Sequence, residues 1–188
     1  MTHLARTLLL ALALALPANA LAKRRPPPAP ASPVAHAGFT AMEVVTVLPA
    51  GEGGTVMLSD TGKARLVPIA VGATEALTIA LRAERRRYER PLTHDLLDTV
   101  IRELGGEVTE VRIDALRSGV FAATLTLRQG ERAAQIDLRA SDAIAVALGR
   151  GLPIWMSDAV LAETALPWGD LAPPDILEGA PDAGQPQL

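Results

Sequence analysis

Residues 136–148 read IDLRASDAIAVAL and crowd Asp137, Arg139, Ser141 and Asp142 into one short joint. Ile136 and Leu138 alternate with the two charged residues as in a half-buried strand, and an apolar helical run follows from Ala143. Two carboxylates, a guanidinium and a hydroxyl so close together are materials for proton transfer or phosphate recognition. The same residues also suit a plain helix start, where hydroxyls cap free N–H groups and carboxylates meet the positive end of the dipole. Thr93-His94-Asp95 and Ser157-Asp158 have that character too.

Asp137 and Arg139 precede the helix on the polar face of a strand, where capping gives them no task. Of the three histidines, His3 falls in an N-terminal leader and His36 in a linker, so His94 is the single imidazole expected in the folded domain.

The elements that must position these groups begin after that leader. MTHLAR, then TLLLALALAL, then Ala18-Asn19-Ala20 or Ala20-Leu21-Ala22, is the order basic, apolar, small-x-small of a secretory signal peptide, assigned to residues 1–22. The apolar run is short for a bilayer span, which needs ~20 residues. The expected location is therefore periplasmic or secreted, with no membrane contact after cleavage. Of 188 residues none is cysteine, which excludes disulfides, thiolate metal sites and cysteine nucleophiles. Cleavage removes Arg6 from the 18 basic residues and none of the 21 acidic ones, leaving a net charge near −4. That balance is poor for a protein that holds nucleic acid by overall charge alone.

Residues 23–38 are a Pro/Ala-rich linker and 166–188 an acidic, proline-rich tail expected to be disordered, leaving a domain at 39–165. Within it, strands are predicted at 43–48, 55–60, 64–71 and 108–114, a hairpin over 120–138, and a short strand at 153–156. Helices are predicted at 73–86, 93–106, from Ser141 to Gly149, and from Ser157. The clearest is 93–106, in which Leu96, Leu97, Val100, Ile101 and Leu104 form one apolar stripe. Blocks of strands and helices with hairpin-length connections indicate a single compact α+β domain with a largely antiparallel or mixed sheet and about four helices.

Three segments carry a resemblance: VPIAVGATEALTIAL (67–81), RPLTHDLL (90–97) and IDLRASDAIAVALGRGLPIWMSDAVL (136–161). In order and spacing they resemble the bifunctional nuclease domain family, over roughly residues 40–165. The resemblance implies a small α+β domain that self-associates into a homo-oligomer and hydrolyses phosphodiester bonds in RNA and DNA. It carries the family's polar positions onto Glu75, Arg90, Thr93, His94, Asp95, Asp137, Arg139, Ser141 and Asp142. Ala140 stands where the family usually has proline.

On that reading Glu75, His94, Asp95, Asp137, Arg139, Ser141 and Asp142 are the candidate catalytic set. Glu75, Asp137 and Asp142 are hard oxygen ligands suited to Mg²⁺ or Mn²⁺. Arg139 suits a phosphate oxygen, and His94 a proton near neutral pH. The stretch RAERRRYER supplies a nucleic-acid surface from Arg82, Arg85, Arg86, Arg87 and Arg90, with Tyr88 for base stacking. The competing reading is a non-catalytic module that uses the same polar pocket for a small anion or a partner protein.

Overall fold

The computed structural model describes residues 36–171. The expected signal peptide, most of the expected linker and most of the expected tail lie outside the described residues. Eight strands form one sheet in the order β6-β5-β4-β7-β1-β2-β3-β8. Two antiparallel meanders make up most of it. The first is β1 (Phe39–Ala50), β2 (Gly53–Asp60) and β3 (Arg65–Gly72); the second is β4 (Glu107–Arg117), β5 (Val120–Gln129) and β6 (Arg132–Arg139). β7 (Ile154–Ser157) joins them, antiparallel to β1 and parallel to β4. The parallel contact requires a crossover, and α3 (Ala140–Arg150) supplies it between β6 and β7.

α1 (Ala73–Ala83) and α2 (Thr93–Glu103) connect the meanders, and α4 (Asp158–Thr164) follows β7. α3 is the central helix: Ala143, Ile144, Ala145, Val146 and Ala147 are wholly buried. Its small residues let α1 and the sheet approach closely, and Val56, Leu58, Val67, Ile79, Val111, Ile113 and Met156 complete the core. The α+β class and the mixed sheet agree with the reading of the sequence.

Two local features differ from it. The folded chain runs past Ala165, because β8 (Leu166–Pro167) pairs with Leu66 and Arg65 and α5 (Trp168–Leu171) follows. Lys63 lies 5.9 Å over the Trp168 ring, so an aromatic anchor ends the domain where an acidic tail was expected. Of the three expected caps only Ser157 acts as one, its Oγ accepting from the Val160 N–H at 3.2 Å. Leu92 and Arg139 occupy the N-cap positions of α2 and α3, so Thr93 and Ser141 lie inside their helices. In α2 the apolar stripe of Leu96, Leu97, Val100 and Leu104 faces outward, while His94 is buried.

Candidate active site

Three helix N-termini converge on one cluster. Glu75 lies in the first turn of α1, His94 is the second residue of α2, Arg139 is the N-cap of α3 and Asp142 lies in its first turn. Arg139 binds Asp142 with a two-pronged fork, Nε donating to Oδ2 at 2.8 Å and Nη2 to Oδ1 at 3.0 Å. Nη2 also donates to Glu75 Oε1 at 2.6 Å. On the other side of Asp142, Oδ1 stands 3.1 Å from His94 Nε2. Glu75, Arg139, Asp142 and His94 thus form a continuous chain of charge-assisted contacts, drawn from all three sequence blocks.

The electrostatics follow from those contacts. Burial pushes the Asp142 carboxyl up, but the hydrogen bonds from Arg139 and His94 outweigh it and hold the group below the usual carboxylate range. Glu75 is lowered first by its own backbone N–H and then by Arg139. Asp142 first, and then Glu75, raise the pKa of Arg139 and keep it charged. Both carboxylates are therefore anions at neutral pH. The Nη1 of Arg139 has no partner among the described residues, and the side chain is 60% exposed, so its two remaining N–H groups face solvent. His94 is enclosed, and its Nδ1 is buried without a partner.

Gly72 enters the site without having been singled out in the sequence. A Cβ there would stand 2.6 Å from Glu75 Oε2, so glycine before α1 leaves room for the carboxylate. A glycine immediately before a helical ATE run was the available signal.

The other candidates lie elsewhere. Asp137 is exposed on β6 opposite Thr124, on the sheet face away from Leu125 and the helices packed there, and it makes no hydrogen bond among the described residues. Strand alternation sends it to that face. The expected metal set of Glu75, Asp137 and Asp142 is accordingly not assembled: Arg139 occupies two of the carboxylates and the third is remote. Among the described residues no three His, Asp or Glu side chains are arranged to hold a metal ion. Ser141 is buried, Thr93 and Arg90 are exposed, and none of the three side chains bonds to the cluster.

Asp95 faces the opposite way from His94, toward the arginine stretch. Arg82 departs from the expected exposed strip, for its side chain is only 8% exposed. It donates to Asp95 at 2.7 Å, Asp98 at 2.8 Å and the Ala145 carbonyl at 2.6 Å, pinning α1, α2 and α3 together. Burial raises the Asp95 carboxyl, but the bond from Arg82 and the Leu92 N–H bring it below its ordinary value. Arg85, Arg86, Arg87 and Arg90 are exposed as expected, with Arg86 held by Glu84 at 3.1 Å. Arg82, Arg85, Arg86, Arg87 and Tyr88 line an open cavity of about 650 Å³ whose far wall includes Asp95 and Asp98.

This α+β fold, with its acid–histidine–arginine cluster at three helix N-termini and a separate arginine-lined cavity, defines a class of small domains. Residues 56–168 match the Bifunctional nuclease domain, and the chain belongs to that family. The match takes in β8 and begins inside β2, leaving β1 outside although it is hydrogen-bonded into the sheet. The chain is also similar to two proteins of Mycobacterium tuberculosis: uncharacterized protein Rv1829 of strain H37Rv and uncharacterized protein MT1877 of strain CDC 1551. Each is 40% identical over 111 residues, which is 59% of this chain and 66% of the relative.

Proposed function

We propose that the domain hydrolyses phosphodiester bonds in RNA or DNA at the Glu75–Arg139–Asp142–His94 cluster. The observation that carries this reading is the meeting, in one hydrogen-bonded chain, of a polar residue from each of the three sequence blocks. The solvent-facing Nη1 of Arg139 holds a phosphate oxygen and stabilises the charge that develops on it in the transition state. Asp142 orients the Arg139 guanidinium, and His94, whose Nε2 meets Asp142 and whose Nδ1 is buried, holds that carboxylate in place. Glu75 fixes Arg139 from the far side. The exposed Arg85, Arg86 and Arg87 supply a separate cationic surface for the phosphate backbone, lined by none of the cluster residues. No step here is routed through a metal ion.

The decisive measurement is incubation of the purified protein with labelled single-stranded RNA and DNA, in Mg²⁺, in Mn²⁺ and in chelator. Cleavage that falls by ~10²-fold or more in Arg139→Met, the scale of a lost donor to the developing oxyanion, supports the proposal. Binding without cleavage under every condition overturns it in favour of the non-catalytic anion module.

We further propose that the protein acts outside the cytoplasm, a reading supported by the basic, apolar and small-residue order of residues 1–22. Intact mass of exported material beginning at Leu21 or Lys23 is the expected result. A species that retains residues 1–20 refutes cleavage there.

A further inference from the structure

α1, α2 and α3 end in the same hydrogen-bond pattern, and α1 alone breaks its usual composition. After α2 the N–H groups of Gly105 and Gly106 donate back to Arg102 and Ile101, and after α3 those of Gly151 and Leu152 donate to Leu148 and Ala147. After α1 the donors are Arg85 and Arg86, to Arg82 and Leu81. The pattern sets its first donor in the left-handed region, where a Cβ is disfavoured and glycine is the common choice. Gly105 at φ +71° and Gly151 at φ +65° follow that rule, but α1 places Arg85 there, at φ +55°. The other non-glycine residues with positive φ among the described residues, Lys63 and Ser118, lie in turns between strands. A side chain kept against its backbone preference points to a use for that side chain. Arg85 lines the cavity of about 650 Å³.

That cavity has two chemically distinct parts. Its rim is cationic: Arg85 and Arg87 are exposed and make no ion pair among the described residues, and Arg102 is 67% exposed. Its floor is acidic, built where Asp95 and Asp98 meet the enclosed Arg82 over Gly149, whose missing Cβ leaves room for that guanidinium. Asp95 keeps 44% of its side chain exposed. Tyr88, 57% exposed, is the one aromatic ring in the lining. We propose that this cavity binds a free nucleoside 5′-phosphate, its phosphate held by Arg85, Arg87 and Arg102, its base stacked on Tyr88 and its sugar hydroxyls donating to Asp95. The volume suits one small molecule, for which sites run to roughly 300–1,000 Å³. A bare polyanion gains nothing from an acidic floor, whereas a nucleotide carries phosphate at one end and hydroxyl donors beside it. A single ring gives a platform to one base. The inference rests on the reading of this arginine stretch as a phosphate-binding surface and does not depend on cleavage at the Arg139 cluster.

The test is titration calorimetry of the full chain with adenosine 5′-monophosphate, and with inorganic phosphate and adenosine as its separated halves. The nucleotide is expected to bind at least roughly tenfold more tightly than either half, since phosphate contacts and base stacking then act together. Tyr88→Ala should weaken the nucleotide roughly fivefold or more, the low end for a lost stack, and leave inorganic phosphate unchanged. Arg85→Gly should weaken the nucleotide roughly tenfold, while Tm stays level or rises by up to roughly 4 °C, because glycine matches the other two helix ends. Arg139→Met should bind the nucleotide as the unmodified protein does. Three results overturn the proposal: a nucleotide no tighter than inorganic phosphate, full nucleotide affinity in Arg85→Gly, or loss of nucleotide binding in Arg139→Met. The last would move the nucleotide to the cluster.

Discussion

Two isosteric substitutions, Asp142→Asn and Asp137→Asn, separate the spatial cluster from the sequence cluster. Asp142 accepts two bonds from Arg139 and stands 3.1 Å from His94, whereas Asp137 has no hydrogen bond among the described residues. A charge-assisted bond contributes about 1.5–3 kcal/mol when enclosed. The Arg139 side chain is 60% exposed, which reduces its pair toward the surface value of about 1 kcal/mol or less. The His94 contact is enclosed but is kept in part by the amide oxygen. Asp142→Asn is therefore expected to cost about 1–2 kcal/mol, a fall in Tm of about 3–8 °C for a domain of this size. Cleavage, which needs the carboxylate to orient Arg139, is expected to fall by ~10²–10³-fold. Asp137→Asn should leave both quantities nearly unchanged. The assay pairs single-turnover cleavage at a temperature well below the melting range with urea unfolding of the same preparations. Wild-type cleavage by folded Asp142→Asn, or a hundredfold loss in folded Asp137→Asn, would refute the placement of the chemistry at the cluster.

Arg82→Met should destabilise the fold by about 1.5–3 kcal/mol, because it removes the enclosed cation that joins Asp95, Asp98 and the Ala145 carbonyl, while Asp98 keeps Arg150 and Asp95 is 44% exposed; chemical unfolding measures it, and a cost below about 0.5 kcal/mol contradicts the pinning role. Arg86→Glu with Arg87→Glu should weaken nucleic-acid binding and flatten its salt dependence while stability stays within about 0.5 kcal/mol, as read from affinity across a salt titration. Asp60, Glu75, Asp95 and Asp142 are all lowered in the folded chain, so each binds its proton more weakly there than when unfolded. Their contribution is complete above the unfolded value of about 4 and is lost as pH falls through the folded values, so Tm should be level near neutrality and drop below about pH 5. A Tm that rises on acidification contradicts these ion pairs.

Periodicity carried the fold: alternation at Phe121, Ala123 and Leu125 and the apolar run from Ala143 mark β5 and α3 in the sequence, and both form where expected. The site was legible in part. His94, Arg139 and Asp142 stand out by type and spacing, and Glu75 comes through the family resemblance. Asp137 shows the limit, since alternation assigns it a polar face but not the side of the sheet on which the helices gather. Arg82 shows another. Five arginines lie close together in one stretch, and only the packing of α1 against α3 selects the one whose guanidinium is enclosed. The stripe of α2 was legible as one apolar face, but an amphipathic pattern states that a face wants cover without stating which molecule supplies it.

Helix boundaries explain why the capping and chemical readings of the opening stretch were hard to separate. A shift of one or two residues in where α3 starts decides whether Ser141 is a cap or an interior residue, and with Arg139 at the N-cap the serine is interior. Asp142 then stands in the first turn for the reason any carboxylate favours that place, the partial positive charge of unpaired N–H groups. The same attraction acts on Glu75 in α1, and a third helix start brings His94 alongside. The two readings are therefore not exclusive. Convergent helix N-termini stabilise the carboxylates that hold Arg139 and His94 in place, and the field that favours those anions also favours a phosphate brought to the free edge of Arg139.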